Sequence, residues 1–191
     1  SCTYHLTSSG NSYAFFDFWN RQDLLIDGQG AIIERAINAP EKGVLAFFQS
    51  QNITLKNLTI RGGKATTGYG LGGGLWFFRT TARVENVKLL NNTANTGGGL
   101  QVEHGDSQVT LVNSVLADNV AQEQGAAIFA TGGMTIQNST IVDGSGNPLF
   151  TYPGNTHQTL KVTSGTTAIY GGGGNATSTG SLSWGNTTGL T

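Results

Sequence analysis

Four segments of the chain superimpose without gaps when the sequence is aligned on itself: Ile53 to Ala65, Ala82 to Ala94, Val109 to Ala121 and Met134 to Gly146. The register puts Asn57, Asn86, Asn113 and Asn138 in one column, at spacings of 29, 27 and 25 residues. Leu55, Val84, Leu111 and Ile136 form a second column, and Ile60, Leu89, Leu116 and Ile141 a third. Gly63, Asn92, Asn119 and Gly144 form a fourth, at a corner where left-handed backbone angles are tolerated. Self-similarity at such a period marks a solenoid, because one unit alone cannot bury its apolar face.

Within each segment apolar and polar residues alternate before the Asn and shift phase after it, as short strands with one buried face do around a bend. A helical reading fails, since β-branched residues, Asn and Gly fill these stretches and no apolar stripe at helical spacing survives. A second half-coil follows each segment. Gly72-Gly73-Gly74-Leu75 aligns with Gly97-Gly98-Gly99-Leu100, Gly43-Val44-Leu45 precedes them and Gly125-Ala126-Ala127-Ile128 follows. Small residues stack here because a Cβ would crowd the next coil. The inward column is then Leu45, Leu75, Leu100 and Ile128. The expected fold class is all-β: one domain, a parallel β-helix of about seven coils. Residues 23–155 carry the regular coils, 1–22 an aromatic-rich segment that covers or extends the first coil, and 156–191 Gly/Thr/Ser-rich coils or a strand extension.

A polar residue in a stacked column must find partners. Asn57, Asn86, Asn113 and Asn138 are therefore expected to form an inward structural ladder of amides that fixes register. On that expectation the sequons at Asn57 and Asn138 have no room for a glycan, and those at Asn52, Asn91, Asn175 and Asn186 read as by-products of composition.

Gly73-Gly74-Leu75 and Gly98-Gly99-Leu100, with Leu89-Leu90-Asn91-Asn92 and Leu116-Ala117-Asp118-Asn119, resemble the paired motifs of bacterial polymorphic outer-membrane and autotransporter-type surface repeats. These belong to the pectin-lyase-like right-handed parallel β-helices. The resemblance covers roughly residues 23–146 and departs at Gly63 and Gly144, where Asn would be expected. It implies the right-handed fold and leaves function open, since that fold hosts lyases, hydrolases, adhesins and inert stalks.

Chemistry is sparse. Asp27-Gly28-Gln29-Gly30 resembles a stretch of polygalacturonases, but the Asn-Thr-Asp, Asp-Asp and Gly-His-Gly motifs of those enzymes are missing, so the turn reads as a coil-building element. The nearest approach to a catalytic group is Glu103-His104 with Asp106, near Arg79 one coil earlier; an exposed polar loop accounts for it better. No catalytic residue is assigned. Asp118 and Asp143 share a column but lack the further carboxylates a calcium site needs, so no metal and no cofactor is expected. Glu85 and Lys56 read as a surface pair. The run Gly171 to Gly174 is followed by no Lys-Ser/Thr and is no phosphate loop. With a net charge of −1 and no basic stripe, nucleic acid is not an expected partner. No apolar run is long enough to insert in a membrane. Cys2, the single cysteine, excludes an internal disulfide.

Aromatic residues carry the remaining signal. Phe48 and Phe78 share one column and Trp76 and Phe129 another, both alternating with the inward one. Outward rings would stack on sugars, meet a partner, or be covered by a loop or terminal segment. Tyr13, Phe15, Phe16, Phe18 and Trp19 crowd the N-terminal region. The candidate surface is Trp76, Phe78, Phe48 and Phe129 with Glu103 and His104. Two readings follow. The first is a non-catalytic structural or adhesive protein, outside the cell or on its surface with its leader removed, self-associating end to end into a filament through open strand edges. The second is a carbohydrate-binding or polysaccharide-degrading β-helix using a side face of the rod. An ice-binding face ranks below both, because Arg83 interrupts the column of Thr54, Thr110 and Thr135.

Overall fold

The computed structural model describes residues 2–8 and 10–142, and for the backbone alone 149–151, 160–170 and 177–184. The strands run β1 (Thr3–Leu6), β2 (Ala14–Trp19), β3 (Leu25–Arg35), β4 (Gly43–Phe48), β5 (Ile53–Arg61), β6 (Lys64–Ala65), β7 (Leu75–Phe78), β8 (Thr81–Leu90), β9 (Thr93–Thr96) and β10 (Leu100–Glu103). They continue as β11 (Gln108–Val112), β12 (Val115–Ala117), β13 (Val120–Gln124), β14 (Ile128–Ala130), β15 (Gly133–Gln137), β16 (Thr140–Val142), β17 (Leu149–Thr151), β18 (Leu160–Tyr170) and β19 (Thr177–Trp184). The described strand pairings are all parallel, and no described residue is helical.

Three parallel sheets line the rod. The longest runs β1-β3-β5-β8-β11-β15-β18, the second β2-β4-β7-β10-β14-β17, and a short third β6-β9-β13 closes the section. The result is an all-β single-domain solenoid of about five turns. That is fewer than the seven or so expected; β18 and β19 extend the long sheet beyond β15.

Register follows the sequence columns. Leu55 stands over Val84, Val84 beside Leu111, and Leu111 beside Ile136, with Ile60, Leu89, Leu116 and Ile141 in a parallel file. Leu45, Leu75, Leu100 and Ile128 stack from the second sheet. These side chains fill one continuous core. Beside them Phe18, Phe47 and Phe77 stack at centroid distances of 4.8 Å and 5.3 Å, so three coils share a column of rings. The Gly corner is as tight as expected: the Gly74 amide donates to Gly98 O at 3.1 Å, and a Cβ on Gly74 would lie 2.6 Å from Gly99 O.

The asparagine column is corrected in its direction. Asn57, Asn86, Asn113 and Asn138 do stack, but each has a positive φ, between 47° and 56°, and points outward. Asn57 is half-buried and the other three are exposed. Asn86 Nδ2 donates to Asn57 Oδ1 at 2.8 Å, and Asn57 Nδ2 to Asp27 Oδ1 at 3.0 Å, along the outside of the corner. Asn tolerates the left-handed region because its short side chain bonds locally. The steric ground for excluding a glycan at Asn57 and Asn138 falls with this.

The buried polar columns are others. Asn92 and Asn119, from the fourth column, are fully buried. Asn92 Oδ1 accepts from the Gly63 amide at 3.0 Å, and its Nδ2 donates to Ile60 O and Asn119 Oδ1. A hydroxyl file runs through Ser50, Thr80 and Ser107: Ser50 N donates to Thr80 Oγ1 and Thr80 N to Ser107 Oγ. Ser114 and Ser139 form a second, with Val87 N donating to Ser114 Oγ and Ser114 N to Ser139 Oγ. Each of these groups satisfies a backbone amide that the bend removes from the ladder.

Candidate functional site

On the second sheet, residues alternate between the core and the outer face. Leu45, Phe47, Leu75, Phe77, Leu100 and Val102 point in. Their neighbours make two outer columns. One is Trp19, Phe48, Phe78 and Glu103; the other is Asp17, Ala46, Trp76, Gln101 and Phe129. The sequence columns thus hold, with Glu103 as the polar member of the first and Asp17 and Gln101 as those of the second.

This outer face is not bare. Phe48 and Trp76 are only 3% and 6% exposed. The N-terminal segment and the loop before β7 cover them. Asp17 ties down the N-terminal approach by accepting from the Ala14 amide at 2.8 Å and the Tyr13 amide at 3.2 Å. That places the Tyr13 ring 5.0 Å from Phe48 and 5.6 Å from Trp76. Trp19 stacks on Phe48 at 4.2 Å. From the other side Tyr69, held between Gly68 and Gly70 at φ +66° and +65°, comes within 5.4 Å of Tyr13. Trp19 and Tyr69 remain 42% and 71% exposed, so they form walls, while Phe48 and Trp76 form the floor.

Between them lies a cleft of about 210 Å³ that ends on Phe78 and Glu103. A second basin of about 240 Å³ adjoins it across Tyr13, Tyr69 and Trp76, and is edged by Ser12, Glu41 and Lys42. Tyr13 and Tyr69 were outside the expected surface. Their contribution is long-range, from a terminal segment and a loop folding over the sheet, and no column alignment reveals it.

Glu103 is the charged group that lines the aromatic cleft. Burial pushes its carboxyl above the usual glutamate range, opposed by a 3.1 Å hydrogen bond from Trp76 Nε1 to Oε2 and by the nearby His104. His104 lies beyond it at φ +80°, with Arg79 Nη2 3.1 Å from its Nε2 and Asp106 Oδ2 3.2 Å from its Nδ1. Arg79 also lies 5.5 Å above the Phe78 ring. So Glu103, His104, Asp106 and Arg79 do assemble, but His104 turns to Asp106 and Arg79 while Glu103 turns to Trp76. Phe129 is buried one coil beyond Gln101, away from the cleft.

Other candidates resolve otherwise. Lys56 and Glu85 are cross-strand partners as expected, but their ion pairs go elsewhere, Glu85 to Arg83 at 2.8 Å and Lys56 to Asp27 at 3.3 Å. Asp143 and Gly171 to Gly174 lie outside the described residues, and among the described residues no group of three acidic, Cys or His side chains is placed to hold a metal ion. No described helix is long and apolar enough to cross a membrane.

Neither the curated proteins nor the solved structures compared with the chain give a match. The family model described as "Right handed beta helix region" matches residues 8–183. With the stacked parallel coils and inward columns already described, that match means the chain belongs to the right-handed β-helix family.

Proposed function

We propose that this chain is a non-catalytic adhesive β-helix that works outside the cell or on its surface and holds saccharide chains on its aromatic flank. The observation that carries the reading is the cleft itself: two exposed aromatic walls, Trp19 and Tyr69, over a floor of Phe48 and Trp76. Flat apolar ring faces beside a few polar groups suit the C–H faces and hydroxyls of sugar rings. The lining supports binding over cleavage. Glycoside hydrolysis commonly needs two carboxyl groups across the scissile bond. Glu103 stands alone in the aromatic cleft, and Glu41 in the adjoining basin is occupied by Lys64 and Thr66. The surface location rests on the resemblance of the Gly-Gly-Leu and Asn-bearing motifs to autotransporter-type repeats.

A glycan array followed by titration calorimetry tests this. The expected result is binding to a subset of oligosaccharides, weakened by Tyr69→Ala about fivefold with Tm unchanged, since an aromatic contact contributes about 1 kcal/mol. Release of new reducing ends from a bound glycan would overturn the non-catalytic reading.

End-to-end association is supported by a separate observation. At the N-terminal end, a mouth of about 450 Å³ opens between β1 and β3, edged by Tyr4, Phe16 and Ile26. Tyr4, Phe16 and Leu25 are exposed there, and Leu25 to Asp27 have a described strand neighbour on one side only, β5. Sedimentation velocity over a range of concentrations should show assembly that Leu25→Lys suppresses; a concentration-independent monomer would refute it.

A further inference from the structure

Taking the saccharide-binding reading as its base, we infer that the aromatic cleft selects amino-sugar chains, with the free ammonium of one ring seated on Glu103.

The cleft is electrically one-sided. Its walls and floor are ring faces, which carry the negative end of the aromatic quadrupole. Its charged lining group is a carboxyl. That carboxyl is half-buried, and one oxygen accepts from Trp76 Nε1. The other oxygen, Oε1, has no donor among the described residues and belongs to the group that closes the cleft. A desolvated carboxylate beside π faces is poorly stabilised until a cation arrives.

No protein cation donates to it among the described residues, and the nearby His104 acts on it only through space. Arg79 is engaged with the Phe78 face and His104 Nε2. His104 Nδ1 faces Asp106. In the adjoining basin Lys42 is held by Asn11 O, and Lys64 reaches Glu41. Glu103 is thus left facing the ligand. A sugar ammonium meets it with a charge-assisted hydrogen bond and gains from the surrounding ring faces. A neutral hydroxyl gains less, and a uronate carboxylate is repelled. The burial that pushes the Glu103 carboxyl up acts in the same sense, since a bound cation offsets the desolvation.

Calorimetry on the intact chain with tetramers of glucosamine, N-acetylglucosamine, glucose and galacturonate, at near-neutral pH and two salt concentrations, decides the matter. The expected order is glucosamine first, by about tenfold over N-acetylglucosamine and glucose, with galacturonate weakest. The advantage should shrink in high salt. In Glu103→Gln, which keeps an acceptor for Trp76 Nε1, the advantage of glucosamine over the N-acetylated tetramer should vanish. Equal affinity for the charged and neutral tetramers, or an ammonium preference that survives Glu103→Gln, overturns the inference and leaves saccharide binding standing. Binding to none of the four, nor to any glycan on the array, overturns both. If the variant does not fold, the order and salt dependence for the unaltered chain still decide the ammonium preference.

Discussion

The side-chain amide of Asn92 donates to Asn119 Oδ1 one coil further along, at 3.1 Å, with both residues fully removed from solvent. Asn119 Oδ1 also accepts from the Asn92 backbone amide, and Asn119 Nδ2 donates to Leu89 O. Replacing Asn92 by Ala strands Gly63 N, Ile60 O and part of the Asn119 carboxamide. The expected loss is about 3 kcal/mol, measured by denaturant unfolding, because each unpartnered buried polar group costs about 1–3 kcal/mol.

The outward column answers differently. Asn86 holds φ +52° in solvent, and its amide bond to Asn57 lies on the surface. Asn86→Gly should change stability by less than about 0.5 kcal/mol, and Asn86→Val should cost more than about 1 kcal/mol through backbone strain. A loss at Asn86→Gly as large as that at Asn92→Ala would mean that the outer stack, and not the inner one, fixes register.

At the small-residue corner, Gly74→Ala sets a Cβ 2.6 Å from Gly99 O, with the Asn92 carboxamide close by. Overpacking against backbone offers no cheap escape, so a drop of about 3 kcal/mol or failure to fold is expected. Gly10→Ala, where nothing lies within 4 Å and φ is ordinary, should leave the Tm within about 1 °C.

Truncating the middle ring of the inward stack tests the core directly. Phe47 is fully buried between Phe18 and Phe77. Phe47→Ala should cost about 4 kcal/mol in denaturant unfolding, and Phe47→Leu clearly less.

Stability should carry a pH signature from Glu103. Burial raises its carboxyl above the ordinary glutamate value, so the folded state favours the protonated form. Its contribution is intact below the ordinary value and is lost as pH rises through the raised one. Glu103→Gln mimics the protonated acid. Its Tm should match the parent at acid pH and exceed it by about 2 °C at neutral pH, followed by scanning calorimetry. Asp27 has the opposite sign: the Asn57 amide, then Gln29 N and Lys56, hold its carboxyl below the usual range, so its contribution is lost only as pH falls through that lowered value.

The coil repeat was legible because stacking forces equivalent residues to share chemistry, and the apolar files at Leu55 and Ile60 recur without a break. The Asn column faces opposite to the inward direction expected, although the sequence carries a signal for it. Inward residues run Ile53, Leu55, Leu58 and Ile60, so two residues, Lys56 and Asn57, separate the middle pair. One extra residue at the bend carries Asn57 to the outside in a left-handed conformation. Asn serves both as a left-handed corner residue and as a buried amide, and composition alone does not tell them apart. The aromatic columns were legible by parity. The cover over them was not, since Tyr13 and Tyr69 reach Trp76 through chain segments that carry no repeat.

Within the sheets each turn pairs only with the turn before it and the turn after it, and Thr81 occupies the same place in its turn that Gln108 occupies in the next. Excising 82–108 would join Thr81 to Val109 and bring Ile53 and Leu55 under Val109 and Leu111, apolar seams of the kind already present. Nothing in the interior counts turns, so the length of such a molecule is free to drift by gain or loss of whole units, and only what is mounted on its flank holds that number in place.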